Sequence, residues 1–457
     1  MKRVLLLLAC LSATLTGVVA AGVPLVTADF SRPAGEMKPL HGVGQPPMVG
    51  RDFELMHYLQ EAGIPFSRLH DVGGYQGRNI YVDIPNLFRD FEADENDPAN
   101  YDFAFTDRLL AALVKHGVEP FFRLGVTIEN GWRVKVYRTY PPKDFAKWAR
   151  ICEHVVRHYT EGWADGYRWK IRYWEIWNEP DNNPDPKKSP MWTGTWQQYL
   201  NLYETASKHL KKCFPHLKIG GYASCGFYAA ANSPAVAAAN ASPESRYFVD
   251  CFLRFLQFVK ERNCPLDFFS FHSYSDVPEA LRQADWCLKT LRQHGFGNVE
   301  TSLNEWLPRV AHENLGTALQ ASAVCAEMIG LQKLGLDSAM IYDARCGVGN
   351  YSPLFNPMTY RPHKAYYALK AFNEAYRLKT SVRCKSSDPD VYALAAGRPG
   401  KGVVLIANIS KRKIPLGLDM GGATPVSCEL TDADRTAETV PIPVELPPES
   451  FVLVRVR

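Results

Sequence analysis

The chain has 457 residues, 46% of them hydrophobic and 22% charged, with a formal charge of +4. That composition supports one large apolar core plus a smaller one and excludes a disordered or collagen-like polymer. The near balance of charge supplies no general pull toward nucleic acid or an anionic membrane.

In chain order, "MKRVLLLLACLSATLTGVVA" has a basic start, an apolar run and small residues before Ala20. This is the pattern of an export signal over residues 1–20. "LLAC" also matches a lipoprotein cleavage box at Cys10, but the sequence after it stays apolar, so lipid anchoring ranks second. No other stretch is long and apolar enough to span a bilayer. The 11 cysteines include no CxxC pair, which removes a redox or zinc-ribbon motif. Export would permit disulfides, but most cysteines lie in apolar stretches and are expected to act as small hydrophobes.

Eight short apolar runs follow: 40–44, 65–71, 118–126, 173–179, 217–223, 266–274, 299–306 and 338–344. Between most of them lie amphipathic helical patterns. One, "TDRLLAALVKHG", starts with a cap at Thr106 and stops at Gly117. Strand and helix alternating eight times predicts an α/β fold, a (β/α)8 TIM barrel over 38–375. Long loops at 73–102 and 228–245 account for its size. From 376 to 457 the helical pattern gives way to short strands, which predicts a small C-terminal β-sandwich. The early "VPLVTADF" is expected to join it, so that 21–37 laces the two units together.

Barrel enzymes place reactive groups at the C-terminal ends of their strands. Glu179, in "WEIWNEPDN", ends the fourth run, and Glu305, in "SLNEW", ends the seventh. Strand alternation puts Glu179 on the face of Trp177 and Glu175, and Glu305 on the face of Leu303 and Thr301. Two carboxylates meeting across a cleft are what glycosidic-bond cleavage requires. The anionic member is expected to raise the pKa of its neighbour. Glu175, a turn lower, reads as a buried paired group. Arg68 and His70 share a face at the end of the second run, and Arg68 is placed to hold Glu305 ionised. Trp306 and Trp132 are candidate stacking faces for sugar. Arg345 and Arg309 are candidate partners for a uronic carboxylate, against the plainer reading of solvent-facing arginines. "YASCG", "GVGQPP" and "AHEN" lack the residues of a nucleophile elbow, a dinucleotide loop and a zinc-protease helix. No metal or other cofactor is called for.

"WEIWNEPDN" together with "SLNEW" closely resembles glycoside hydrolase family 39, which holds β-xylosidases, α-L-iduronidase and exopolysaccharide hydrolases. "GVGQPPMVGRDFELMHYLQEAGIPFSRLHDVGG" and "YDFAFTDRLLAALVKHGVEPFFRLG" resemble the family's early barrel. The resemblance implies Glu179 as acid/base and Glu305 as nucleophile of a retaining hydrolase. It also implies Asn178 as a donor to the sugar 2-hydroxyl. Strict alternation points Asn178 away from the cleft, so this role needs a bulge or twist at the strand end. His272 and Tyr274, in "FHSY", are implied to line the cleft and bond the nucleophile, and Tyr342 to stand where related barrels carry an aromatic.

The reading is therefore a β-xylosidase-like hydrolase of β-linked oligosaccharide or polysaccharide. It would be secreted or periplasmic, with no nucleic-acid partner and an oligomeric state the sequence leaves open. Two rivals are an endo-acting exopolysaccharide hydrolase and a carbohydrate-binding protein that kept the fold without turnover.

Overall fold

The computed structural model describes residues 24–49, 53–72, 82–128, 137, 139–230, 242–347, 351 and 353–457. Residues 1–23, Trp132 and the Ala-rich stretch at 231–241 lie outside them.

Each of the eight apolar runs forms a strand, and the strands close into a parallel barrel. They are β2 (Gly42–Gly44), β3 (Phe66–Leu69), β4 (Glu119–Leu124), β5 (Tyr173–Ile176), β6 (Lys218–Ser224), β7 (Phe268–Ser273), β8 (Glu300–Trp306) and β9 (Ser338–Ile341). The first barrel strand, β2, pairs in parallel with both β3 and β9, which shuts the ring. Its floor is apolar: Phe66, Phe121, Phe268 and Met340 form a separate cluster with Tyr173 against it. The Phe121 and Tyr173 rings stack at 5.0 Å. Above that floor, Arg68, Glu175, Ser270 and Asn304 form a polar layer. Side chains two residues apart on one strand therefore climb from hydrophobic floor to reactive mouth, as in Phe66, Arg68 and His70.

The helix expected to start at Thr106 begins earlier, at Ala104, with Phe103 in the cap position. Thr106 is buried in its first turn, because the Phe103 ring packs on His158 and Tyr159 and fixes where the turn begins. A second difference concerns Ala318–Leu334, whose sequence reads as an amphipathic helix. It is buried on nearly every side, because the C-terminal sheet covers the face that would otherwise meet water.

That sheet has eight strands. Its central strands are β10 (Thr380–Ser386), β11 (Val391–Arg398), β12 (Lys401–Asn408) and β18 (Ser450–Val456). The early strand β1 (Val26–Glu36) pairs antiparallel with β10. The layers are unequal: the second is a two-stranded ribbon of Ile414–Pro415 and Glu445–Leu446. Both faces of the large sheet are apolar. Leu394, Ala396, Val403 and Leu405 join the barrel's core, while Ala393, Ala395, Val404 and Ile406 join a second core beneath the ribbon.

Replacing Phe121 by Ala empties part of the barrel floor, where neither solvent nor a mobile side chain can fill in. The expected cost is about 3–5 kcal/mol of stability, read as a lower denaturant midpoint at unchanged slope.

Candidate active site

The fourth strand ends in a break of alternation. Tyr173 and Glu175 of β5 face the barrel interior, while Trp174 and Ile176 face the helices. Trp177 should face inward next. Instead it adopts a left-handed backbone, φ +71°, and turns outward. Its ring meets Trp192 edge-on at 5.0 Å, and its Nε1 donates to the Met191 carbonyl at 2.9 Å. The flip brings Trp177 against Gly125, where a Cβ would stand 3.1 Å from the Trp177 Cα, and only glycine suits a φ of +158° there. The expectation that Glu179 shares its face with Trp177 is therefore corrected. The reversal turns Asn178 inward, where its Oδ1 accepts from Arg68 Nη2 at 2.5 Å. Glu179, itself at φ +44°, follows it into the mouth.

Beyond Glu179 the chain is anchored by Asp181. It is buried, accepts from Ser224 Oγ at 2.8 Å and from the Cys225 amide at 3.2 Å, and burial pushes its carboxyl up to about 7.

The seventh strand has a matching irregularity. Leu303 pairs with Phe271, but the next residue of β7, His272, pairs with Glu305, so the register slips by one residue on β8. Asn304 consequently faces inward and donates to Glu175 Oε1 at 2.5 Å, while Leu303 lies in the apolar core. Glu305 reaches the mouth through the slip, and the simple alternation with Leu303 and Thr301 is corrected.

These two breaks bring the carboxylates together. Oxygens of Glu179 and Glu305 and a ring nitrogen of His272 all lie within 4.8 Å of one another. A retaining pair needs about 5–5.5 Å, and an inverting pair leaves about 6.5–9.5 Å for water. His272 sits between the two, with Nδ1 2.7 Å from Glu179 Oε1 and Nε2 3.7 Å from Glu305 Oε2. Tyr274 donates its hydroxyl to Glu305 Oε1 at 2.6 Å. Arg68 Nη1 donates to Glu305 Oε2 at 3.1 Å, and its Nε donates to Glu175 at 2.8 Å. Arg68 is 1% exposed and Glu175 fully buried, so the guanidinium is neutralised inside the barrel.

The two glutamates are not equivalent. Burial pushes Glu179 up to about 7, with Arg68 and Asn182 opposing. Desolvation leads here, rather than the neighbouring carboxylate that strand geometry alone suggested. Burial also raises Glu305, with the neighbouring Glu179 adding to the rise, while the Arg68 charge and the Tyr274 hydrogen bond oppose it. Burial first, then the Arg68 charge, hold His272 down near 4, so its ring is neutral. A proton on Glu179 then fits the neutral ring: the Glu179 hydroxyl donates to Nδ1, while Nε2 stands 3.7 Å from Glu305 Oε2, beyond hydrogen-bond reach.

Other expected residues fall in different places. His70 is buried, with Nε2 3.2 Å from Asp71 Oδ1. Trp306 is wholly buried in the core and offers no open face, which corrects its expected stacking role: the register slip that turns Glu305 inward directs the next side chain outward. Arg345 is committed to Asp343 through Nε and lies 5.4 Å over the Tyr342 ring. Arg309 donates to the Tyr274 carbonyl at 2.8 Å. Trp132 lies outside the described residues.

The sequence reading passed over Asn182, which donates to Glu179 Oε2 at 3.1 Å, and Asn304, which holds Glu175. Both lie inside the quoted motifs, where they look like turn and spacer residues. A second cluster able to hold a cation, Glu153, His209 and Cys213, lies on the helices around the barrel, but Arg157 already pairs with Glu153.

Two carboxylates this close at the C-terminal mouth of a (β/α)8 barrel are the arrangement that cutting a glycosidic bond by double displacement requires. Residues 69–285 match the model of Glycosyl hydrolases family 39. The matched span includes Glu179, His272 and Tyr274 and stops short of Glu305.

A β-xylosidase of Geobacillus stearothermophilus is 28% identical over 208 residues, 44% of this chain and 36% of the relative. A β-xylosidase of Caldicellulosiruptor saccharolyticus is 27% identical over 208 residues, 41% of this chain and 36% of the relative. The match thus spans little more than a third of those relatives' length. Among solved structures, a glucosidase from Croceicoccus marinus superimposes with a TM-score of 0.75 at 20% identity, covering 95% of this chain and 98% of its own. A family 39 β-xylosidase from Caulobacter crescentus gives 0.65 at 17% identity, covering 94% and 99%. These likenesses bear on the fold.

Replacing Glu175 by Ala strands Arg68 without its deepest counter-charge. The expected loss is about 3–5 kcal/mol of stability, measured by denaturant unfolding. Glu175→Gln should cost less, since the amide oxygen still accepts from Arg68.

Proposed function

We propose that the chain is a retaining glycoside hydrolase that acts on a β-linked sugar, in the manner of a β-xylosidase. The observation that carries this reading is the Glu179–His272–Glu305 cluster, with its unequal carboxylates inside 4.8 Å. In the first step a Glu305 oxygen bonds to the anomeric carbon. The bond to the leaving oxygen breaks, and Glu179 gives that oxygen its proton. The Glu305 charge is now gone. In the second step Glu179 takes a proton from water, the water oxygen bonds to the anomeric carbon, and the ester to Glu305 breaks. Asn178, held by Arg68, is placed beside the nucleophile for the sugar 2-hydroxyl. Tyr274 and Arg68 steady the Glu305 carboxylate before attack. The β-xyloside preference draws on the two β-xylosidase relatives, and action on polymer interiors remains the rival reading. Export through residues 1–20 belongs to the same proposal.

Three outcomes test it. Activity should fall as pH rises through about 7, the value to which burial lifts Glu179, because the first step needs its proton. It should fall on the acid side at a pH above 4.5, the ordinary glutamate value, since Glu305 is raised from there and must be ionised. A kcat/KM profile on p-nitrophenyl β-D-xyloside gives both limbs. Glu179→Ala should lose about 10²–10⁴ in rate on poor leaving groups, stall after the first step on good ones, and regain turnover with azide. A 2-fluoro xyloside should leave its sugar on Glu305 by peptide mass mapping. A label on any other residue removes the nucleophile assignment.

A further inference from the structure

The mouth holds a third carboxylate that the double displacement does not use. Asp71 lies two residues past the end of β3, beside His70, in a left-handed backbone of φ +52°. Its side chain is 9% exposed, the same as that of Glu305. One oxygen, Oδ2, accepts from the Tyr342 hydroxyl at 2.6 Å. The other, Oδ1, is buried and has no hydrogen-bond partner among the described residues. His70 Nε2 stands 3.2 Å away, but burial and the nearby Arg123 keep that ring neutral, so it brings no countercharge. A buried carboxylate oxygen left without a donor is costly, and such a group at the mouth of a site is poised for a donor that arrives with the ligand.

The arginines described around it already have carboxylate partners. Arg68 is held by Glu175, Arg123 by Asp83 and Arg345 by Asp343. Asp71 keeps an acceptor oxygen without a donor among the described residues. It lies near the reacting groups. Its charge helps raise Glu179, and its partner Tyr342 meets the Tyr274 ring at right angles, 6.2 Å between centroids. Tyr274 in turn holds Glu305. The anomeric end of a bound sugar is fixed by Glu305 and Asn178 around Arg68. Among the described residues Tyr342 and Tyr274 link Asp71 to that end, which leaves the 3- and 4-hydroxyls for its free oxygen.

We propose that Asp71 is a specificity-determining residue whose Oδ1 accepts a hydrogen bond from the 3- or 4-hydroxyl of the bound sugar, selecting a neutral glycoside over a uronide. This rests on the glycosidase reading of the same site and names the chemistry its far wall recognises. Hydroxyls satisfy the open oxygen, whereas a uronate would set a second anion near Asp71 with the surrounding guanidinium groups already paired. The pairing of Arg345 with Asp343 fits this selection.

The test uses binding, so that it stands apart from turnover. In a Glu305→Gln background, calorimetry measures p-nitrophenyl β-D-xyloside and its 3-deoxy and 4-deoxy analogues, with and without Asp71→Asn or Asp71→Ala. Loss of a hydrogen bond to a charged acceptor should weaken the parent glycoside about 10- to 100-fold. The analogue that lacks the recognised hydroxyl should bind weakly already and change by less than about 2-fold on either substitution. Equal weakening of all three ligands by both substitutions, no weakening of any, or no binding of the parent would overturn the assignment. Asp71→Asn keeps the side-chain volume and an acceptor for Tyr342, which covers a failure of the Ala variant to fold. If the expected binding pattern appears while the wild type cleaves no aryl glycoside, the hydrolase reading fails and the Asp71 assignment stands.

Discussion

A guanidinium sealed inside a barrel has to be neutralised, and the mouth of this molecule is arranged around that requirement. Arg68 rises from the second barrel strand with 1% of its side chain exposed. Its five N–H groups fan out in one plane, so its partners must come from several strands at one height. They do: Glu175 from the fourth strand, Asn178 just past that strand's end, and Glu305 from the seventh. One side chain thus fixes the height, orientation and charge of the groups around the anomeric carbon. Replacing the buried ion pair by apolar residues would be near neutral for stability. Its value lies in position. It also makes the two reactive glutamates unequal. Glu305 shares Arg68 directly, while Glu179 is held mainly by neutral partners, His272 and Asn182.

The eight strands were legible because each is a short apolar run buried on both sides, and such runs stand out between amphipathic helices. The two glutamates were legible because each ends such a run. How they reach the cleft was not. A period of two carries a side chain reliably only while the strand stays regular, and both strands depart from regularity at the residue that matters. Trp177 leaves its row because Trp148 and Trp192 offer its ring a larger apolar contact outside the barrel than the polar interior does. Nothing local in "EIWNE" announces that preference. Glu305 depends on a slip against β7, a property of two strands far apart in sequence. Trp306 was misplaced for the same reason. Asn182, Asn304 and Asp71 escaped notice because a single polar residue beside a motif carries no period, and its role lies in what it touches across the fold.

The C-terminal sheet explains another misread segment. Ala318–Leu334 was expected to keep a wet face, yet it lies between the barrel and a sheet whose strands are apolar on alternate residues in both directions. The two units share this helix and Lys364–Arg377 as a common wall, so the barrel's core runs on into one face of the sheet while the second core lies on the other.

One pairing in that sheet bears on how the molecule comes into being. β1 lies near the start of the chain and β10 well beyond the barrel, and they are neighbours in the finished sheet. On the ribosome the earlier strand emerges first and waits without its partner while the whole barrel is made. It carries Val26, Ala28 and Phe30 for the second core, an apolar edge of the kind that invites pairing with other chains. The barrel can assemble from neighbours in order of synthesis, whereas β1 can find β10 only after every barrel strand between them has been made.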